Sequence, residues 1–281
     1  IHNMALTPPF DQAVKPILNL FGEMNGKVGE LQSKLLDQLT ELQSKVTDLP
    51  DDIKCSDPRI NDIKQDIQRV NDTISDIQTM FNNIQNVVNI LLIIATISAV
   101  VISLALINVI PIPEAAAKGI EVASFVVATI LGILGAITGL IAFAQSMLSN
   151  VSSALGPILN KLGSICNNET FVVNTDTANS ILNDISKQTA GYGDMTETEF
   201  YRNVNVSEDD LQDRQQKIEQ LLEQQRNLID NLIEAPSQVI NDVGVPSTDI
   251  GNIGDYYIDE TNKNIYGPKI SDTDWGTPVN Y

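Results

Sequence analysis

Apolar residues recur at steps of three and four through most of this chain. In the first such run, Phe21, Met24, Val28, Leu31, Leu35, Leu39, Leu42, Val46 and Leu49 mark one face of a helix. Two four-residue steps meet at Leu35, which reads as a stutter in the heptad. Leu49-Pro50-Asp51-Asp52 ends that helix, and Asp57-Pro58 starts another, with Asp57 as cap and Pro58 in the first helical position. Ile60, Ile63, Ile67, Val70, Ile74, Ile77, Phe81, Ile84, Val88 and Leu91 then alternate steps of three and four without a fault. A repeat of about four and a half heptads predicts a coiled-coil seam. Isoleucine at both seam positions leans towards three or four strands, while an antiparallel hairpin within one chain buries the same face.

The seam runs into a fully apolar segment. Ile90 to Ile110 is 21 residues, enough at about 1.5 Å per residue to cross roughly 30 Å of hydrocarbon. After the break Pro111-Ile112-Pro113, Val122 to Leu148 forms a second such run, rich in glycine. Ala128, Gly132 and Ala136 form one row of small residues at four-residue spacing, and Gly135 and Gly139 another. Rows of this kind let helices approach closely, so these five residues are expected to pack the two arms of a helical hairpin.

The pattern weakens beyond Gly163. Phe171-Val172-Val173 reads as a short extended stretch, Thr177–Gln188 as a short helix and Gly191–Asp194 as a turn. Ser207 with Asp210 suggests a capping pair. The helix it opens places Leu211, Ile218, Leu221, Leu228, Leu232 and Val239 on one face, interrupted by Arg214 and Gln225. Pro236 and Gly244-Val245-Pro246 close the helical part. Tyr256-Tyr257-Ile258 and Asn264-Ile265-Tyr266 then read as two strands around the turn Asp259–Lys263. This divides the chain into 1–57 (helix and linker), 58–166 (heptad helix with apolar hairpin), 167–243 (polar connector and helix) and 244–281 (aromatic tail). The fold class is mainly α, with a small C-terminal β-hairpin module.

Charge sharpens this picture. The 281 residues hold 36 Asp+Glu against 17 Lys+Arg, a formal net charge of −19. Yet Ile77–Pro113 and 122–160 contain no charged residue at all. The central hairpin either enters a membrane or is walled in by protein. The acidic balance excludes nucleic acid as a partner, because phosphate contacts need clustered cations. Only 5% of residues are aromatic, the palette of long helices rather than of a pocketed enzyme.

The catalytic inventory is nearly empty. His2 is the one histidine, so Ser-His-Asp and Cys-His arrangements have no base within the chain's body. No Gly-x-Ser-x-Gly elbow or Gly-Lys-Ser/Thr phosphate loop occurs. The expectation is no enzyme, no cofactor and no metal; Asp259, Glu260, Asn262 and Asn264 read as turn chemistry rather than a calcium loop. Cys55 and Cys166 flank the Pro111 break symmetrically, so a hairpin brings them level; they form a disulfide in an oxidising compartment or remain two separate thiols.

The tail carries a resemblance. Gly254-Asp255-Tyr256-Tyr257-Ile258-Asp259, then Asn264-Ile265-Tyr266-Gly267-Pro268-Lys269, then Trp275-Gly276-Thr277-Pro278-Val279 resembles the terminal module of bacterial collagen-like surface-fibre and phage tail-fibre proteins. The resemblance implies a fibrous, trimeric protein, extracellular or virion-associated. The aromatic tail, with Tyr256, Tyr257, Tyr266 and Trp275, is expected to cap the trimer or dock a neighbour. In layout alone, long amphipathic helices around a central apolar hairpin are similar to helical pore-forming toxins. The leading expectation is a homo-oligomeric coiled-coil component of a phage-tail-like particle or surface fibre, contacting other structural proteins, with its hairpin sequestered or inserted in membrane lipid. The alternative is a helical pore-forming toxin subunit.

Overall fold

The computed structural model describes residues 10–106, 114–167, 171–204, 213–232, 239–259, 261–267 and 269–280. The described chain is mainly helical. Its elements are α1 (Phe10–Thr47), α2 (Pro58–Leu106), α3 (Glu114–Ile165), α4 (Asp176–Thr189), α5 (Glu197–Arg202), α6 (Arg214–Asn231), and strands β1 (Val239–Asp242), β2 (Tyr256–Asp259), β3 (Asn264–Tyr266) and β4 (Val279–Asn280). His2, the Pro111 break, Ser207, Asp210, Leu211, Pro236, Glu260 and Pro268 lie outside the described residues.

The start of α2 follows from its cap. Asp57 accepts the backbone N–H of Arg59 at 2.9 Å and grips its guanidinium through Nε and Nη2 at 3.0 and 2.9 Å. The Arg59 side chain, followed by its N–H, holds the Asp57 carboxyl down at about 2, against an ordinary 3.8. α5 is closed by a capping box, Thr196 with Glu199. The short α5 carries no long apolar repeat, and the periodicity of the sequence does not find it.

The chain forms two compact units, neither contiguous in sequence. One comprises Gly22–Ile84 and Ile137–Ala190. Its core takes Leu35 and Leu42 from α1, Ile63 and Ile74 from α2, Leu148 and Leu155 from α3, and Leu182 from α4, all buried. Polar ties fix the register of these helices. Lys45 donates to Asp62 and Asp66 at 2.8 and 2.6 Å, and Thr73 donates to Gln38 at 2.8 Å. Asn71 both donates to the carbonyl of Val172 at 3.1 Å and accepts the N–H of Asn174 at 3.3 Å. A disulfide joins Cys55 to Cys166, with Cα atoms 4.9 Å apart. The start of α2 and the end of α3 are thereby held together.

The other unit comprises the described parts of Ile1–Phe21, Gln85–Ala136 and Gly191–Tyr281. Its sheet runs β1-β2-β3-β4, with β1 parallel to β2 and the remaining pairs antiparallel. Val239 opens β1 rather than continuing a helix. The proline three residues earlier cannot continue a helical hydrogen-bond ladder, and the apolar step of seven that placed Val239 on the helical face spans that proline.

Candidate functional site

All ten residues of the expected oligomer seam, Ile60 to Leu91, are buried within the single chain. The fault-free repeat is consumed by the chain's own helices, so those side chains offer no open seam to sister chains. The small-residue rows fall out differently from the expected hairpin packing. Of the three glycines, Gly135 alone meets another backbone closely: a Cβ there would lie 3.2 Å from the Cα of Gly193 in the turn before α5. Gly132 and Gly139 face open space, Ala136 is exposed and Ala128 half-buried. No described segment comes within 4 Å of the point where a Cβ of Gly132 or Gly139 would stand.

Both apolar helices are long and uncharged enough to cross a bilayer. Their surroundings differ. In the most apolar 18-residue stretch of α2, 78% of residues are buried, against 44% in α3. A buried core helix satisfies the same length and composition, which accounts for α2. It does not account for α3, whose Phe125 is 40% and Phe143 42% exposed. A half-covered helix with no charge over 122–160 leaves apolar surface in water at a cost of about 25 cal/mol per Å².

Within the unit that holds Gln85–Ala136, polar groups attach α6 to these helices. Gln225 donates to the hydroxyl of the wholly buried Ser98 at 2.8 Å, and Ser98 passes the bond to the carbonyl of Ile94 at 2.7 Å. Arg214, also buried, donates from Nε to the carbonyl of Leu104 at 2.6 Å and from Nη2 to that of Ala105 at 3.0 Å. These carbonyls belong to the last turn of α2, which has no helical partners of its own. A guanidinium there also meets the negative end of the helix dipole. Leu222 of α6 reaches Gly119 of α3, where a Cβ would stand 2.6 Å from its Cδ1. Arg214 and Gln225, which interrupt the apolar face of α6 in the sequence, are the residues that fix it in place. α5 adds Glu197, which accepts from Tyr201 at 3.3 Å and from Ser124 of α3 at 3.5 Å. Burial, more than the Glu197 charge beside it, pushes the Tyr201 phenol up.

The tail aromatics do not form a docking face. Tyr256, Tyr257, Tyr266 and Trp275 are all buried, and the last three cluster with Ile240 of β1. Trp275 donates its indole N–H to the carbonyl of Ser247 at 3.0 Å. Asp259 is closed off by its own turn: it accepts the N–H groups of Gly244, Thr261 and Asn262 and the side-chain amide of Asn262. Burial pushes its carboxyl up, but these donors together outweigh it and the net shift is downward. The turn reading of Asp259 thus has its donors in place. Among the described residues no three Asp, Glu, Cys or His side chains are grouped to hold a metal ion. No protein family, curated protein or solved structure matches the chain.

Proposed function

We propose that this chain is a non-enzymatic protein that folds with its uncharged central segment only partly covered and inserts that segment into a lipid bilayer, in the manner of a helical pore-forming subunit. α2 and α3 act as a helical hairpin in this reading, tied at its base by Cys55–Cys166. One observation carries it: residues 122–160 hold no charge, yet the most apolar stretch of α3 is less than half covered by the fold. A helix evolved only for a protein core would be buried throughout or would carry charge on its wet face. The net charge of −19 disfavours anionic head groups, so zwitterionic lipid is the natural target.

The test is release of a trapped dye from phosphatidylcholine vesicles by the purified chain. Release, with α2 and α3 becoming protected from protease by lipid, is the expected result. Intact vesicles and unchanged proteolysis at every lipid concentration would remove the reading. A second reading, a structural component of a particle or fibre, is favoured by the self-contained aromatic tail and its resemblance to fibre-terminal modules. It expects a cross-linked ladder ending at three chains and no dye release. Because the Ile60–Leu91 side chains are already buried, such trimers would have to form through other surfaces.

A further inference from the structure

We infer that α6 is a displaceable cover, and that its departure is the step that uncovers the apolar end of α2. The inference rests on the membrane reading above and adds the part that regulates it. α6 has the composition of a lid: Gln215, Glu219, Glu223, Arg226 and Asp230 are exposed, while Ile218, Leu221 and Leu228 point inward. Its register against α2 depends on polar groups set into an apolar contact, Gln225 on Ser98 and Arg214 on the carbonyls of Leu104 and Ala105. Polar groups in such a contact fix one alignment but stabilise it less than apolar packing of the same volume. The polar groups α6 exposes on leaving, Arg214 and Gln225, can be satisfied by water, whereas the α2 stretch it leaves is uncharged and suited to hydrocarbon. Lipid therefore competes with α6 for the same surface. The balance is that of a two-state element whose open form binds the ligand better.

The test joins α6 to α3 covalently. Gly119→Cys with Leu222→Cys places two thiols where Leu222 already lies against Gly119. The oxidised double variant, checked for unchanged far-UV dichroism, is compared with its reduced form on phosphatidylcholine vesicles. Wild type with and without the same reductant accounts for any effect of opening Cys55–Cys166. The inference expects the bonded variant to release little dye and the reduced variant to match reduced wild type. Equal release by bonded and reduced forms, with wild type active, overturns the cover and leaves the membrane reading standing. If wild type releases no dye, the membrane reading falls instead, and hydrogen exchange without lipid decides the cover. α6 amides exchanging about tenfold or more faster than those of 90–104 support a separately opening α6; one shared rate overturns it.

Discussion

The ammonium of Lys269 donates to the carbonyls of Thr248, Ile250 and Gly251 at 2.7, 2.9 and 3.0 Å, and lies 5.2 Å from the centre of the Trp275 ring. The residue is 3% exposed, and a cation so buried persists only if its protons are all placed. Lys269→Met removes the donor and leaves three carbonyls facing a methyl group. The tail is expected to lose about 2–4 kcal/mol. Trp275 is the chain's single tryptophan, so its fluorescence follows the tail, and an unchanged denaturant midpoint for the variant would refute the role given to Lys269. The same probe reads Asp259. Its folded carboxyl titrates below the ordinary 3.8, so its contribution is complete above that value and is lost as pH falls through the lower folded one. The tail should therefore loosen in acid below about pH 4, and Asp259→Asn should flatten that dependence. At this scale the sequence was half legible. The runs Tyr256-Tyr257-Ile258 and Asn264-Ile265-Tyr266, on either side of a turn, announced strands β2 and β3. It announced neither the Lys269 cage nor the inward turn of the aromatics, because a lone lysine and four aromatics read equally well as surface.

At the scale of the element, glycines that look alike in sequence separate sharply. Gly132 and Gly139 have nothing within 4 Å of the point where a β-methyl would stand, whereas Gly135 sits against the backbone of Gly193. Gly132→Ala and Gly139→Ala should each stabilise α3 by about 0.5–1 kcal/mol, since alanine is the better helix former where space is open. Gly135→Ala should instead destabilise by about 1 kcal/mol or more, because backbone rather than a flexible side chain must move. Thermal unfolding by far-UV dichroism ranks the three, and a stabilising Gly135→Ala would contradict the close approach. Helices α1, α2 and α3 were legible because their period of three and four is sustained over many turns. β1, β4 and α5 were not, being strands of 4 and 2 residues and a helix of 6; elements that short carry too few positions for a period to emerge, and β2 and β3, equally short, were found only through the aromatic runs on either side of the Asp259–Lys263 turn. The Ile60–Leu91 seam shows the limit of periodicity from the other side. Its burial was legible, but a repeat specifies which face is dry and not whose side chains dry it.

For the molecule as a whole, the decisive constraint is the covalent one. Cys55–Cys166 spans 111 residues of sequence and encloses all of α2 and α3, including both uncharged runs. In the unfolded chain that loop restricts the freedom of every residue inside it, and closing a loop of this size is worth about 4–5 kcal/mol in the chain-entropy account. The folded state gains no comparable contact from the sulfurs themselves, so the effect belongs mainly to the unfolded ensemble. The double variant Cys55→Ser, Cys166→Ser should keep the helical content of the native protein while losing about 2–5 kcal/mol in guanidinium unfolding. Its m-value should rise, because an uncrosslinked chain exposes more surface when it unfolds. The two effects separate the explanations. A lower midpoint with a larger m assigns the bond to constraint of the unfolded chain. A lower midpoint with the same m, together with loss of the Lys45–Asp66 pairing nearby, would mean that the bond holds native geometry. An unchanged midpoint would show that the helices of this unit, with Leu35, Leu42, Ile63 and Leu155 at their centre, close the base of the α2–α3 segment without it.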